Sequence, residues 1–248
     1  GTKSGVLVKG GRYLEALAEV DTVVLDKTGT LTQASPQLSD VVSLDAERDE
    51  KEILGLAACL EEHFPHPVSR AVVRAAQAQG VNHYNEEHDA EVKYVVAHGI
   101  CSSVDGQKVI IGSRHFVEED EKVDVTAGLP HVERLAAEGK SVLYMAQGGK
   151  LIGILGIVDP LRPEAKDVIR ELKKRGIKRI VMLTGDDTRT AKNVAGQLGI
   201  TEFRAQVLPT DKASHVLALK KEGCKVLMIG DGVNDSPCLL YTSPSPRD

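Results

Sequence analysis

"VVLDKTGTLTQ", residues 23–33, places one carboxylate at the end of a short apolar run and follows it with turn-forming residues. The β-branched run that ends at Leu25 predicts a buried strand. Asp26 then lies at the carboxyl end of that strand, the edge where open α/β sheets keep their ligand sites. An acidic strand end can also be merely solvated in a loop. Partners elsewhere in the chain decide between these two interpretations.

Two further apolar runs also end in polar residues. One leads to Thr184-Gly185-Asp186, and the other leads to a glycine-rich turn that contains Asp231. If the three strands are parallel neighbours, their tips lie on one rim. Facing carboxylates such as Asp26 and Asp231 repel each other unless a cation lies between them, and Mg²⁺ prefers such hard oxygen ligands. The pattern therefore predicts a Mg²⁺ site on this rim.

The same rim offers groups that bind phosphate. The Thr184 hydroxyl and the backbone amides around Gly185 can bind phosphate oxygens, and Lys212, just inside a helix, can stabilise the charge of a transferred phosphoryl group. Each signal is weak alone, because glycine turns and first-turn lysines are common on protein surfaces. Together they predict phosphoryl transfer with Asp26 as the nucleophile, which is an established covalent strategy.

Composition narrows the class of protein. The chain of 248 residues is 42% hydrophobic and 27% charged, which is typical of a globular protein. A net charge of −5 and an aromatic content of 3% argue against nucleic acid as a partner. The four scattered cysteines fit reduced thiols in a cytosolic setting. The longest apolar stretch, 151–158, is far short of the roughly 20 residues of a membrane helix, so the chain as given is expected to be soluble.

The order of helical and strand patterns along the chain predicts an α/β domain that is interrupted by an insert after its first strand. From 163 to 232, helical and strand patterns alternate as in parallel βα units, and the strand at 20–25 resembles those later strands. The middle of the chain has the pattern of an α+β segment, and residues 33–47 have the character of a loop. Helices are predicted at 49–62, from Pro67 and near 130–138, and strands between 92 and 111, at 141–147 and at 150–157. We therefore predict an α+β insert of about 34–156.

Four motifs then connect the chain to a known family. "DKTGTLT", "TGDD", "PTDK" and "GDGVNDSP", in that order, resemble the phosphorylation domain of P-type cation-transporting ATPases, which are members of the haloacid dehalogenase superfamily. "DPLRPEA" resembles the hinge of that family, formed by Asp159 and Arg162. The resemblance implies a Rossmann-like parallel sheet domain made of 1–33 and 157–237. It also implies a nucleotide-binding insert of 34–156.

The insert narrows the resemblance to heavy-metal (type IB) ATPases. "CLEEHFPHPVSRAVV" resembles their His-Pro motif, which implies that His66 contacts the adenine of ATP, with Pro67 beside it and Glu61 as the other adenine-side residue. The alternative for His66 is a helix cap without a ligand. The glycine motifs depart from the family pattern. Alanine stands at position 97 before Gly99, and Ser113 stands where asparagine is often found.

The resemblance assigns roles to the remaining residues. Asp26 attacks the γ-phosphate of ATP, while Asp231 and the Thr28 carbonyl hold Mg²⁺ with it. The residues implied around the phosphoryl group, or within the same motifs, are Lys27, Thr28, Thr184, Gly185, Asp186, Lys212 and Asn234. The residues implied at the nucleotide are Glu61, His66, Pro67, Gly99, Ile100, Gly112 and Ser113.

Thr28 separates the transporters from related phosphatases. Many phosphatases of the superfamily carry a second aspartate two residues after the nucleophile, as a general acid and base. Thr28 has no group that titrates near neutral pH, so an aspartyl phosphate can persist. In the ATPases, its hydrolysis awaits an actuator domain bearing Thr-Gly-Glu, a tripeptide not found in this sequence.

The expected function is ATP-dependent autophosphorylation at the cytoplasmic face of a membrane, as part of a heavy-metal cation transporter. Two alternatives stay open, a soluble phosphatase of the superfamily and a nucleotide-binding fragment without turnover. The first residues resemble the stalk after a membrane helix, so the chain is expected to be a fragment. The tail 238–248 is expected to be non-native, because it does not continue the family pattern.

Overall fold

The computed structural model describes residues 18–62, 64, 66–81, 90–96 and 99–230, and only the backbone of 90–96. Its first strand, β1 (Thr22–Asp26), pairs in parallel with β8 (Arg179–Leu183) on one side and β10 (Val226–Ile229) on the other. The short β9 (Glu202–Arg204) extends the sheet in the order β10-β1-β8-β9. The three strands with polar ends are therefore neighbours in one parallel sheet, as the sequence predicts.

Helices cover both faces of this sheet. Val23 joins a core with α4 (Ala165–Lys174) and α5 (Thr188–Leu198). Val24 faces the opposite side, where α6 (Lys212–Lys221) packs. Adjacent residues of β1 take opposite faces because side chains alternate along a strand. With both faces covered, the strand ends are the place left for a site.

The other strands form an antiparallel sheet. In chain order they are β2 (Gln37–Ser43), β3 (Ala90–Val96), β4 (Gly99–Val104), β5 (Gln107–Gly112), β6 (Ser141–Gln147) and β7 (Lys150–Val158). Their order in space is β2-β7-β6-β5-β4-β3. The helices α1 (Glu50–Glu61) and α2 (Pro67–Ala78) pack on one face, and α3 (Leu129–Ala137) packs on the other.

Two tight turns set the register of this sheet. Asp105 and Gly106 have φ of 50° and 77°, and Gly148 and Gly149 have φ of 57° and 80°. Two consecutive positive φ values match the twist of a two-residue hairpin, which explains the Asp-Gly and Gly-Gly pairs at these positions.

The helix starts follow from capping residues. The Asp49 side chain accepts a hydrogen bond from the Glu52 amide at 2.9 Å at the start of α1, and Asp187 accepts one from the Arg189 amide at 2.9 Å at the start of α5. Each carboxylate satisfies a backbone N–H that has no partner inside the helix. The helix α5 ends at Gly199 in the left-handed conformation.

The predicted loop at 33–47 is wrong over its central part. Residues Gln37–Ser43 form β2, which pairs with β7 at the edge of the antiparallel sheet. Leu38 and Val41 pack against the core below α1 and α2, while polar residues stand between them. A half-buried edge strand has few apolar residues, so the sequence pattern understates it. The short strand β9 and a helical turn at His115–Asp120 are further elements that the sequence did not predict.

Within the described residues, no helix is long and apolar enough to cross a membrane. The stalk-like start and the tail 238–248 lie outside the described residues. The parallel sheet takes its strands from residues 22–26 and 179–229, and the antiparallel sheet takes its strands from residues 37–158. The sequence pattern distinguishes the same two groups of segments. The exact boundaries of the insert, 34 and 156, stay a prediction, and β7 ends at Val158.

Candidate active site

Asp26 and Lys212 form the centre of the site. The Lys212 Nζ donates to Asp26 Oδ2 at 3.0 Å, and only 5% of the Asp26 side chain is exposed. Asp26 ends β1, opposite Leu183 of β8. A carboxylate this deeply buried requires charged or hydrogen-bonding partners. Lys212 is such a partner although it begins α6, where the helix dipole disfavours a cation.

The end of β8 brings Thr184 to the same rim. Thr184 is 5% exposed, and its Oγ1 accepts a hydrogen bond from the Asp186 amide at 3.1 Å. The Thr184 amide donates to the Arg204 carbonyl at 3.0 Å. A Cβ added at Gly185 would meet only the Val207 carbonyl oxygen, at an ordinary 3.5 Å, among the described residues. Packing therefore does not require glycine at 185.

Lys27 and Asp186 form a second ion pair beside the first. Lys27 is 4% exposed, and its Nζ donates to Asp186 Oδ2 and, at 3.4 Å, to the Ser141 hydroxyl of β6. Desolvation alone would raise the pKa of Asp186. The charge and hydrogen bond of Lys27, with the Ser141 and Thr184 hydroxyls, outweigh it and hold that pKa below its usual value. Asp186 is therefore ionised at neutral pH.

The hinge residues hold the loop that follows Asp26. The Thr32 Oγ1 donates to Asp159 Oδ2 at 2.6 Å and accepts from the Gly29 amide at 2.9 Å. The Arg162 guanidinium donates to the Gly29 carbonyl at 3.3 Å. Gly29 has φ of 79°, which favours glycine. Thr32, which the sequence reasoning missed, is the last threonine of "DKTGTLT" and joins this loop to the segment after β7.

Glu61 is the buried acidic residue of the insert. It is 5% exposed, ends α1 and accepts a hydrogen bond from the Ser69 hydroxyl. Burial raises the pKa of Glu61 and outweighs the opposing effect of the Ser69 hydrogen bond. A cavity of about 180 Å³ lies beside it, between the end of α1 and α2. The cavity is lined by Glu61, Glu62, Phe64, Arg70, Val73 and Arg74.

His66 caps α2 and is exposed. Its Nδ1 accepts a hydrogen bond from the Val68 amide at 3.2 Å, one residue past Pro67. Desolvation and the charge of Arg70 lower the pKa of His66, so the ring is neutral at pH 7. Because Nδ1 is the acceptor, the proton of the neutral ring lies on Nε2. One side chain therefore combines a helix cap at Nδ1 with a hydrogen-bond donor at Nε2.

The glycine motifs lie in the antiparallel sheet, where Gly99 of β4 faces Gly112 of β5. A Cβ at Gly99 would lie 2.0 Å from the Phe116 ring, so packing requires glycine at 99. The Ile100 side chain is 6% exposed and packs in the core below α1 and α2. The Ser113 hydroxyl accepts a hydrogen bond from the Phe116 amide at 3.3 Å. The sequence reasoning missed Phe116, whose contact with Gly99 has no local signal.

This packing predicts a large loss of stability for Gly99→Ala. The added methyl group overlaps a ring that is 1% exposed, so the free energy of unfolding should fall by about 3 kcal/mol. The matched control is Gly196→Ala in α5, where a Cβ would meet nothing within 4 Å among the described residues. That change should raise stability by about 0.5–1 kcal/mol. Denaturant unfolding measures both, and equal midpoints would contradict the Phe116 contact.

The structure thus brings together part of the predicted site. Asp26, Lys27, Thr184, Asp186 and Lys212 share the rim of the parallel sheet. The predicted Mg²⁺ ligand Asp231, the phosphate-side Asn234 and residues 97 and 98 of the first glycine motif lie outside the described residues. In the described part, no group of three or more His, Cys, Asp or Glu can hold a metal ion.

The rim nevertheless suits Mg²⁺. Asp26 supplies a buried carboxylate, and Thr28 follows in a non-helical bend with φ of −71° and ψ of 124°. Mg²⁺ needs only one or two protein carboxylates when phosphate and water oxygens complete its shell. When bound, the ion would neutralise charge on the phosphoryl group.

Sequence comparison finds curated proteins that are similar to this chain over nearly its whole length. The zinc-exporting P-type ATPase of Mycobacterium marinum is 37% identical over 239 residues, which are 96% of this chain and 32% of that protein. The manganese-exporting P-type ATPase of Mycobacterium bovis is 38% identical over 240 residues, or 96% of this chain and 33% of that protein. The chain therefore spans about a third of the length of these curated relatives.

Among solved structures, the catalytic domain of the CPx-ATPase CopB-B superposes with a TM-score of 0.68 and 28% identity. The match covers 92% of this chain and 78% of that one. A family model of haloacid dehalogenase-like hydrolases matches residues 20–240. With its parallel sheet, its antiparallel insert and a buried aspartate at the end of the first strand, the chain belongs to the haloacid dehalogenase-like hydrolases.

Proposed function

We propose that the chain is the ATP-binding and phosphorylated part of a heavy-metal P-type ATPase. The observation that carries this proposal is the buried Asp26 carboxylate, 3.0 Å from the Lys212 ammonium, at the carboxyl end of a central parallel strand. The relatives support the same class, since each is named as a metal-exporting P-type ATPase. In this proposal, 1–33 and 157–237 form the phosphorylation domain and 34–156 bind the nucleotide.

The reaction is a transfer of one phosphoryl group. An oxygen of the Asp26 carboxylate forms a bond to the γ-phosphorus of ATP, the bond from that phosphorus to the bridging oxygen breaks, and ADP leaves with the electron pair. The Lys212 ammonium offsets negative charge on the phosphoryl oxygens, which is the main way proteins catalyse this transfer. The Thr184 hydroxyl and the Gly185 amide line the rim, and the absence of a side chain at 185 admits a phosphate oxygen. Bound Mg²⁺ would be held by Asp26, the Thr28 carbonyl and Asp231, with Asn234 beside the phosphate.

Persistence of the aspartyl phosphate distinguishes this function from that of a phosphatase. Thr28 occupies the position two residues after Asp26, and its side chain is exposed. A hydroxyl that does not titrate near neutral pH cannot remove a proton from an attacking water. Hydrolysis then depends on an outside group, which we assign to an actuator domain of the whole transporter. The phosphoenzyme can therefore last long enough to drive a movement.

Labelling with γ-³²P-ATP tests the proposed function. The protein that carries this chain should take up label in the presence of Mg²⁺, and the label should survive acid and be released by hydroxylamine, as an acyl phosphate is. Steady release of phosphate from small phosphomonoesters without a trapped label would favour a phosphatase. ATP binding with no label would favour a nucleotide-binding module.

The insert would hold the base of the nucleotide. The neutral His66 ring offers an Nε2–H donor while Nδ1 caps α2, and Glu61 lies beside the cavity at the end of α1. Pro67 fixes the start of the helix that carries the cap. Gly99, Ile100, Gly112 and Ser113 would complete the nucleotide site from β4 and β5.

Two substitutions of His66 separate the proposed contact of its ring with adenine from its role as the cap of α2. Losing one contact to adenine in His66→Ala should cost roughly 1–3 kcal/mol, or about tenfold to a hundredfold in ATP affinity. His66→Asn is the matched variant, because asparagine is a good helix cap but lacks the imidazole. It should keep the thermal midpoint and still lose affinity. An unchanged dissociation constant by isothermal titration calorimetry, in either variant, would remove His66 from the site.

In the proposed transporter, the metal ion is selected outside this chain. Relatives named for zinc and for manganese match this chain almost equally, at 37% and 38% identity, so the match does not indicate which ion is transported. We assign selectivity to membrane-spanning helices, and we place the catalytic region at the cytoplasmic face, where ATP is available.

A further inference from the structure

Ser141, a residue of the insert, contacts the rim of the parallel sheet that carries Asp26. Ser141 is the first residue of β6, and its hydroxyl accepts a hydrogen bond from Lys27 Nζ at 3.4 Å. Lys27 directly follows the proposed nucleophile and is also paired with Asp186. A serine hydroxyl can accept from an ammonium group and donate to a carboxylate at the same time, so Ser141 suits both members of this ion pair.

The position of Ser141 is set by helix α5. The carbonyl of Ala137, at the end of α3, accepts from Asn193 Nδ2 at 2.6 Å, and the carbonyl of Lys140 accepts from Thr190 Oγ1 at 2.8 Å. The last carbonyl of a helix has no partner within it, and the Asn193 side chain satisfies it here, while Thr190 satisfies a carbonyl of the segment that joins α3 to β6. Thr190 is fully buried.

These contacts connect the insert to the rim at two points. The helix α5 that holds the Lys140 carbonyl starts just after Asp186, the partner of Lys27. The residue after Lys140 is Ser141, which bonds to Lys27. Ser141 is therefore fixed by the same segment that carries the carboxylate of the ion pair.

We propose that Ser141 is a positioning residue for phosphoryl transfer, which holds the Lys27–Asp186 pair and thereby the loop that carries Asp26. The inference rests on the proposed function. Without the Ser141 hydroxyl, the Asp186 carboxylate alone would hold the Lys27 ammonium among the contacts described above. A loop that shifts moves the nucleophile away from the line of attack, and small displacements of this kind lower the rate of a reaction rather than substrate affinity.

The test compares Ser141→Ala with Ser141→Thr in the full protein that carries this chain. Rapid-quench labelling with γ-³²P-ATP at saturating ATP gives the rate of phosphorylation, and calorimetry gives the dissociation constant of ATP. Ser141→Ala should slow phosphorylation between about tenfold and a hundredfold with ATP affinity unchanged. Ser141→Thr keeps the hydroxyl and should restore most of the rate. A loss of stability alone would not be rescued in this way.

Two further variants sharpen the test. Ser39→Ala is the matched control, because the Ser39 hydroxyl bonds to Asp40 and to the Gly156 carbonyl within the insert and should leave the rate unchanged. Thr190→Val removes the donor to the Lys140 carbonyl while keeping the shape of the side chain. If Thr190 acts through Ser141, the double variant should be no slower than Ser141→Ala.

The outcomes separate the two proposals. If the unaltered protein is labelled on Asp26 but Ser141→Ala reacts at the same rate, the positioning role is overturned and the proposed function stands. If Ser141→Ala and Ser141→Thr are equally slow, the hydroxyl is not the cause and the positioning role is also overturned. If the unaltered protein binds ATP and takes up no label, both proposals fail.

Discussion

Asp26→Asn is expected to abolish acid-stable labelling from γ-³²P-ATP. The amide of asparagine is neutral and its oxygen is a poor nucleophile, so the bond to the γ-phosphorus does not form. The side chain keeps its shape in a place that is 3% exposed, and its oxygen can still accept from Lys212. The loss of label should therefore exceed 99%, roughly the hundredfold or more expected when a nucleophile is removed, without loss of the fold.

A second aspartate, next to the other end of the same strand, provides the control. Asp21 lies immediately before β1, where its Oδ1 accepts from the Thr22 hydroxyl at 2.8 Å and from the Lys225 amide at 2.9 Å. Asp21→Asn keeps that acceptor and should be labelled like the unaltered protein. Circular dichroism should show the same fold for both variants. Undiminished label in Asp26→Asn would end the assignment of Asp26 as nucleophile.

The parallel sheet and its rim could be predicted because their signals are local. Leu25 and its β-branched neighbours end in Asp26, and the later strand ends in Thr184, so each tip is visible in a few consecutive residues. Parallel strands place such tips on one edge, which brings residues together across 158 positions without any detailed contact information. Lys212 was assigned to the phosphoryl group from its place at the start of a helix, and its ion pair with Asp26, 186 residues away, is a contact that the rule for strand ends does not give.

Hydrogen bonds of single hydroxyl groups between distant segments could not be predicted in this way. Ser141 meets Lys27 across 114 positions, and Thr32 meets Asp159 across 127, yet neither hydroxyl stands out in its own segment. Serine and threonine are common, and only the three-dimensional arrangement distinguishes a surface hydroxyl from one beside a buried charge. The edge strand β2 was missed for a related reason, since its burial comes from packing on α1 and α2 rather than from its own composition.

Gly99 shows how a motif glycine can have a further physical reason that its own sequence segment does not reveal. The sequence reasoning linked this glycine to the close approach of a nucleotide. The nearest side chain, Phe116, accounts for it by packing, because any Cβ would overlap the ring. Gly185 is the opposite case, where packing in the described residues leaves room for a Cβ. The functional interpretation of a glycine is therefore stronger at 185 than at 99.

Lys212→Met should give the second large effect, on the rate of phosphorylation rather than on its site. Methionine keeps the length of the side chain and removes the ammonium that lies 3.0 Å from Asp26. Loss of one preorganised electrostatic group costs about 10²–10³ in rate, or roughly 2.7–4 kcal/mol. Rapid-quench labelling should show a slow reaction that still ends on Asp26. Lys221→Met, at the exposed end of the same helix, is the control and should react normally.

The same variant tests whether Lys212 stabilises the buried carboxylate. Asp26 is 5% exposed in its side chain and Lys212 is 21% exposed, so removing the lysine should lower the free energy of unfolding by about 1–3 kcal/mol. Adding Asp26→Asn to Lys212→Met neutralises the carboxylate and should recover part of that loss. A double variant as unstable as the sum of the single changes would mean that the two groups do not interact. A Lys212→Met protein that is phosphorylated at the normal rate would mean that the ammonium has no part in the transfer.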